Sequence, residues 1–497
     1  MGSLVVWQRD PVSALLTVLL FVVHGLVVCR AITRPERSPA SRVAWVAVIM
    51  SLPLVGVIAY FLLGETSIGR EREKRLHDAI DAMPVPTAGA CPPDELPDRA
   101  AQLFDLGTTV SDLPPVTGNR ITLLGDPDAT AREPMRDSDA AMDALIADID
   151  QATETVHISF YIWLDDNTGG KMTDAVCAAA KRDVTCRVMV DALGSRAFTR
   201  SARWAQLKDA GVHTVATLND IPRLGHLAVG RVDLRNHRKI VVIDNRISFC
   251  GSQNCADPQF RVAAKYAPWV DLLFRCEGPV VRQEQYIFVG AWAAGTGEQI
   301  EDLPTAEPTP EEFAQGSLAQ MFATGPTRKR NSMSDMFVAT IFAAQHDLLV
   351  TTPYFVPDEA LLRALCAAPR RGVRTRLIVP ARNNSALVGL SSRSDYPYLL
   401  ESGVEIYEYP LGLLHSKSIT LDGQIALVGS ANMDRRSLQL NFENNLLVVD
   451  PDVTAQVRRR QESYLSVSKR VPPETVERWP FRTRLVQDAV GTLSPLL

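Results

Sequence analysis

Two segments carry the same three polar side chains at the same spacing. His237–Asp244 (HRKIVVID) and His415–Asp422 (HSKSITLD) both have the form H-x-K-x-x-x-x-D. Each leads through a turn (DNR, DGQ) into a second apolar run that ends in a G-S-x-N set. These sets are Gly251, Ser252 and Asn254 in the first copy, and Gly429, Ser430 and Asn432 in the second. Aligned on Pro279 and Pro451, DLLFRCEGP overlays ENNLLVVDP, so Asp271 matches Glu443 and each copy adds a later carboxylate. Lysine is scarce, nine against 43 arginines, which makes a lysine in both copies informative. One His–Lys pair in an apolar run reads as a satisfied core element. Two copies with matched Lys, Asp, G-S-x-N and carboxylate read as a site.

The chemistry open to such a set is phosphoryl transfer. A neutral imidazole can attack phosphorus and an imidazolium can protonate a departing oxygen; a pKa near 6.5 gives access to both forms. Lys239 and Lys417, with Ser252, Asn254, Ser430 and Asn432, would hold an anionic phosphate and its trigonal-bipyramidal transition state. A carboxylate behind each imidazole would fix its tautomer and stabilise its charged form. The lysines supply the positive charge, so the reading requires neither metal nor cofactor.

Side chains two apart on a strand share a face, so Asn236–Ile243 and His415–Leu421 are expected as buried strands presenting His and Lys together. The surrounding pattern is α/β. Helices are predicted at 139–151 and 171–181 with strands at 155–163 and 185–190; the pattern resumes with helices at 333–345 and 358–367 and strands at 348–354 and 374–379. Ala175–Asp191 laid on Ala364–Pro380 gives eight identities in 17 positions without a gap. Each of these copies precedes one H-x-K-x-x-x-x-D, which implies a gene-duplicated enzyme of two lobes, residues 118–297 and 323–497. Residues 67–117 and the acidic, Pro-rich 298–322 read as linkers.

The N-terminus is different in kind. Val12–Cys29 and Val43–Gly64 are apolar runs of 18 and 22 residues. A hydrocarbon core of roughly 30 Å needs about 20 helical residues, so 1–66 is expected to be a membrane anchor with two spans, Pro53 kinking the second. Flanking basic residues are nearly balanced: Arg30, Arg34, Arg37 and Arg42 lie between the spans, and Arg9, Arg70, Arg72, Lys74 and Arg75 outside them. They set no orientation. The net charge of −5 gives no electrostatic case for nucleic acid. The eight cysteines show no C-x-x-C and no zinc spacing, which suits free thiols.

At the duplicated His-Lys-Asp motif the sequence resembles the phospholipase D superfamily. FYIWLDDNTG (160–169), TTPYFVPDEAL (351–361), GVEIYEYPLGLLHSK (403–417) and GSANMDRRSLQLNFE (429–443) make it similar to bacterial-type cardiolipin synthases in particular. The resemblance implies a plasma-membrane phosphatidyltransferase that joins two phosphatidylglycerol molecules and releases glycerol through a phosphatidyl-histidine. It makes His237 the nucleophile and His415 the general acid and base. It also implies that Asp271 and Glu443 touch the histidines across the lobe interface, with Asp244 and Asp422 bracing their turns. The alternatives keep the chemistry and change the acceptor or donor: hydrolysis of phosphatidyl esters, or transfer from another headgroup. The family pattern has a second glycine where FCGSQNCAD has Gln253.

Overall fold

The computed structural model describes residues 11–34, 39–64, 69–126, 132–219, 231, 233–300, 303–304, 316–326, 329 and 331–492. Arg9, Arg37 and most of the predicted linker 298–322 lie outside these residues.

The first half contributes strands β1 (Val116–Leu123), β2 (Thr155–Phe160), β3 (Thr185–Asp191), β4 (His213–Thr217), β5 (Ile240–Ile243), β6 (Ile247–Gly251) and β7 (Leu273–Glu277). The second contributes β8 (Ser317–Thr324), β9 (Asp347–Thr351), β10 (Arg374–Pro380), β11 (Glu405–Tyr409), β12 (Ser418–Leu421), β13 (Ile425–Gly429) and β14 (Asn441–Val449). Hydrogen bonding orders them β1-β7-β6-β5-β2-β3-β4 and β8-β14-β13-β12-β9-β10-β11. The two halves therefore share one topology, a mixed α/β fold used twice. The parallel pairs β2–β3 and β9–β10 are each bridged by a helix, Asn167–Lys181 and Glu359–Arg370, as parallel neighbours require. The hairpins β5–β6 and β12–β13 turn at Asp244–Asn245 and Asp422–Gly423, all four with positive φ, which favours Asn, Asp and Gly there.

β1 pairs antiparallel with β8, so one sheet runs through both halves. Helices Val280–Thr296 and Pro451–Val467 cover this join. Ile240, Val242, Phe274, Met321, Val428, Leu446 and Val457 form a buried apolar cluster with them. Burying this surface at roughly 25 cal/mol per Å² favours one fixed arrangement of the two halves. That rigidity matters below, because the site uses groups from both.

The predicted linker 67–117 begins with helix Arg70–Ala82 on its charged stretch and also holds a second helix, Asp98–Ser111. The second is amphipathic and buries Leu103, Phe104 and Val110 against the second half's core. Its Gly107 sits where a Cβ would collide with Gln320 on β8. At the N-terminus the described helices are α1 (Pro11–Thr33), α2 (Pro39–Ser51) and α3 (Pro53–Leu63). The 22-residue apolar run is thus broken rather than kinked. Pro53 has no amide to continue the ladder, Leu52 leaves helical geometry (φ −129°, ψ 74°), and the helix restarts with proline in its first turn. Among the described residues no helix is long and apolar enough to cross a membrane. α1–α3 fold as a small cluster around Trp45, Ile49 and Tyr60. Leu19, Phe21, Leu26, Leu54 and Val55 remain exposed on it.

Candidate active site

The segments bearing the histidines do not run on as one strand. The ladders of β5 and β12 begin only after Lys239 and Lys417. Before them the chain crosses to the other half: Arg235–Asn236 pairs in parallel with Asn441–Phe442, and Leu413–Leu414 with Trp269–Val270. The histidine amides extend these bridges, His237 N–H donating to Phe442 O (2.9 Å) and His415 N–H to Val270 O (2.8 Å). The residue after each acceptor is Glu443 or Asp271. Main-chain register therefore places each imidazole beside the other lobe's carboxylate. His237 Nδ1 lies 2.9 Å from Glu443 Oε2, and His415 Nδ1 lies 2.7 Å from Asp271 Oδ1.

Both carboxylates accept further hydrogen bonds, and Glu443 is saturated with donors on both oxygens. Glu443 also accepts from the hydroxyls of Ser430 and Ser437 (2.8 Å for the latter) and from Asn441 Nδ2 (3.1 Å). Asp271 accepts from Ser252 Oγ at 2.6 Å. Ser252 and Ser430, expected at the phosphate, thus give their single hydroxyl protons to Asp271 and Glu443. The preceding glycines make this possible. A Cβ at Gly251 would collide with the Leu272 carbonyl, and one at Gly429 with Asn444 and Asn445, so only glycine lets each serine approach the carboxylate strand. Of the predicted phosphate ligands, Asn254 Nδ2 and Asn432 Oδ1 remain buried without a protein partner. Gln253, at the departure from the family pattern, is tied to Ser138 Oγ at 2.8 Å.

Lys239 Nζ donates to His237 O (2.6 Å) and Lys417 Nζ to His415 O (2.5 Å), each keeping two further N–H groups. Asp244 accepts from the amides of Thr153, Glu154 and Thr155, and Asp422 from those of Gln345, His346 and Asp347 and from Arg99. These two aspartates tie their hairpins to β2 and β9 and touch neither imidazole.

Burial pushes the imidazoles down, His237 to about 4 and His415 to about 3, with Glu443 and Asp271 opposing the shift. Despite their own burial, Asp271 and Glu443 fall below the usual carboxylate range because the histidines, lysines and serines favour their charge. Each pair at rest is a neutral imidazole giving Nδ1–H to a carboxylate, which leaves the Nε2 lone pair for chemistry. Burial lowers Lys239 to about 8; Lys417 falls well below its usual value through burial and the nearby Lys239. An anion placed between the two lysines would relieve this crowding of positive charge.

The depressed histidines carry a stability signature. As pH falls from about 6.5 toward 4 the unfolded chain gains two protons that the folded site refuses, so these groups cost stability on acidification. A His237→Asn/His415→Asn protein is expected to lose less melting temperature than the wild type between about pH 7 and 4.5. Parallel decline of the two proteins in scanning calorimetry would refute the neutral pairs.

Aromatic groups complete the site. Tyr161 meets the His237 ring edge-on (centroids 4.9 Å), Tyr354 meets His415 (6.2 Å), and Trp269 lies tilted over His415 (4.4 Å). The neighbouring Trp163 and Phe355 are buried in the core, whereas Tyr161 and Tyr354 are half-buried beside the histidines. The signal was available: each tyrosine directly follows, or nearly follows, the matched strand β2 or β9. Trp269 has no counterpart in the repeat to mark it. Among the described residues no group of three or more His, Cys, Asp or Glu side chains is placed to hold a metal ion.

The comparisons with known proteins bear on the same residues. A family described as cardiolipin synthase, PLD-like domain, matches residues 145–265 and 337–465, one stretch around each histidine. A second, phospholipase D-nuclease N-terminal, matches 17–65. Cardiolipin synthase A of Cronobacter sakazakii is 37% identical over 473 residues, covering 93% of this chain and 94% of its own. The same protein of Salmonella arizonae matches to the same extent, 37% over 473 residues. Phosphatidylserine synthase from Haemophilus influenzae superposes with a TM-score of 0.57 at 14% identity, covering 80% of this chain and 100% of that one, a likeness of fold. With two lobes, two His–carboxylate pairs and this identity along nearly its whole length, the chain belongs to the bacterial cardiolipin synthases of the phospholipase D superfamily.

Proposed function

We propose that the protein is a phosphatidyltransferase that joins two phosphatidylglycerol molecules into cardiolipin and releases glycerol. One observation carries this most: two imidazoles, each held at Nδ1 by the opposite lobe's carboxylate, in one site with two lysines. In the proposed cycle His237 Nε2 attacks phosphorus. The P–N bond forms as the P–O bond to the headgroup glycerol breaks, and His415, which takes up a proton at Nε2 from solvent as the anionic substrate binds, donates that proton to the departing oxygen. A hydroxyl of the second phosphatidylglycerol then enters, His415 takes its proton, and the new P–O bond displaces His237. The substrate's negative charge opposite Asp271 offsets the burial cost of the imidazolium that His415 must become. Lys239, Lys417, Asn254 and Asn432 hold the phosphate; Ser252 and Ser430 act through the carboxylates, and Asp244 and Asp422 through the hairpins. The working units are the two lobes, the first starting at β1 and the second at β8, behind an N-terminal anchor.

Anchoring at the bacterial plasma membrane is part of this proposal. Its support is the exposed apolar side chains of α1–α3, a surface that water does not favour and a bilayer does. An anchor formed by these helices fits a substrate that never leaves the bilayer. The test is purified, detergent-solubilised enzyme given labelled phosphatidylglycerol alone. Cardiolipin with equimolar glycerol is expected; phosphatidic acid as the sole lipid product would replace synthesis with hydrolysis.

A further inference from the structure

The site is not symmetric beyond its histidines. A cavity of about 430 Å³ opens between Tyr266 of the first half and the loop and helix that follow β10, one residue along the chain from the Tyr354 that meets His415. Pro353 lines it and accepts from Asn383 Nδ2 at 2.8 Å, while the neighbouring Tyr354 donates its hydroxyl to Asn384 Oδ1 at 2.9 Å and presents its ring to His415. The corresponding loop of the first half is folded shut. There Ser195 Oγ donates to the Tyr161 carbonyl (3.0 Å), and a Cβ at Gly194 would collide with that carbonyl.

We infer that this cavity is the subsite for the headgroup of the acceptor phospholipid, with Arg382 as the cation for the acceptor's own phosphate. The inference rests on the proposed transfer reaction. In that cycle the departing and the attacking alcohols both occupy the face of phosphorus next to His415, so an acceptor must approach from His415's side. The volume suits a small polar headgroup. Arg382 is exposed at the cavity wall and has no hydrogen-bond or ion-pair partner among the described residues. A glycerol leaving group carries no charge to engage it, whereas an acceptor phosphatidylglycerol brings a second phosphate a few bonds from its reacting hydroxyl. Leu387, on the helix that lines the cavity, is 50% exposed and suits an acyl chain leaving toward the bilayer.

The test is a competition for the phosphatidyl-enzyme between phosphatidylglycerol and ethanol, a neutral acceptor, in mixed micelles. Arg382→Glu is expected to lower the ratio of cardiolipin to phosphatidylethanol about tenfold or more, the usual scale of a charge-assisted contact to phosphate. Arg382→Lys, which keeps the charge, should recover most of the ratio. A ratio unchanged in Arg382→Glu overturns the subsite. So does an equal loss in both variants, which would point to packing rather than charge. A wild-type enzyme that makes phosphatidylethanol but no cardiolipin would instead overturn the proposed function, before any variant is compared.

Discussion

A His237→Asn enzyme is expected to form no covalent phosphatidyl adduct and to lose about 10⁴-fold or more in turnover, the scale seen when a nucleophile is deleted from a catalytic unit. Asparagine keeps a donor near the position of Nδ1 and so can still bond Glu443, but it has no lone pair on nitrogen to offer phosphorus. His415→Asn should differ in kind. With phosphatidylglycerol it loses about 10²–10⁴-fold, because glycerol is a poor leaving group without a proton. With a nitrophenyl phosphodiester, whose leaving group needs none, it should form the adduct in one burst and then stall for want of a base. Mass spectrometry of the quenched protein reads both results. An adduct in His237→Asn, with none in His415→Asn, would exchange the two roles.

The contrast between these variants rests on geometry that the sequence shows only in part. The repeated polar set was legible because chemistry demanded it twice, and the match of Asp271 with Glu443 followed from aligning two copies of one fold. Strands β2, β3, β9 and β10 were legible because buried parallel strands carry continuous apolar runs. The serines were not. Whether a hydroxyl faces substrate or a neighbouring carboxylate depends on how closely two strands approach, and that is set by Gly251 and Gly429 against Leu272 and Asn444. The helix Asp98–Ser111 was obscured by the Pro- and Asp-rich stretch before it, although its apolar spacing is helical and its Arg99 reaches Asp422. The break at Pro53 was read as a kink because sequence does not say whether neighbouring groups will satisfy the carbonyls that proline frees. The histidine segments read as plain strands because their apolar flanks hide the crossing to the other lobe at Asn236 and Leu414.

That crossing makes Glu443→Gln the second severe change, expected to lower turnover about 10³–10⁴-fold, the scale of a carboxylate-to-amide swap behind a catalytic histidine. Glu443 is fully buried and every group around it donates: His237 Nδ1–H, Ser430, Ser437 and Asn441. A glutamine must turn its own N–H₂ toward one of these donors. If it faces the imidazole, His237 is driven to the tautomer with its proton on Nε2, and the nucleophilic lone pair is lost. Asp271→Asn does the same to His415 and should cost about 10²–10⁴-fold, the range of general acid–base catalysis. Because Glu443 acts through His237, the double variant His237→Asn/Glu443→Gln should be no slower than His237→Asn alone. Losses that multiply would show instead that Glu443 stabilises the transition state on its own. The same cycle built from Glu443→Gln and Asp271→Asn should multiply, since in the proposed reaction those carboxylates serve different histidines. Catalysis would then depend on each lobe twice: for its own imidazole, and for the carboxylate that holds its partner's ring.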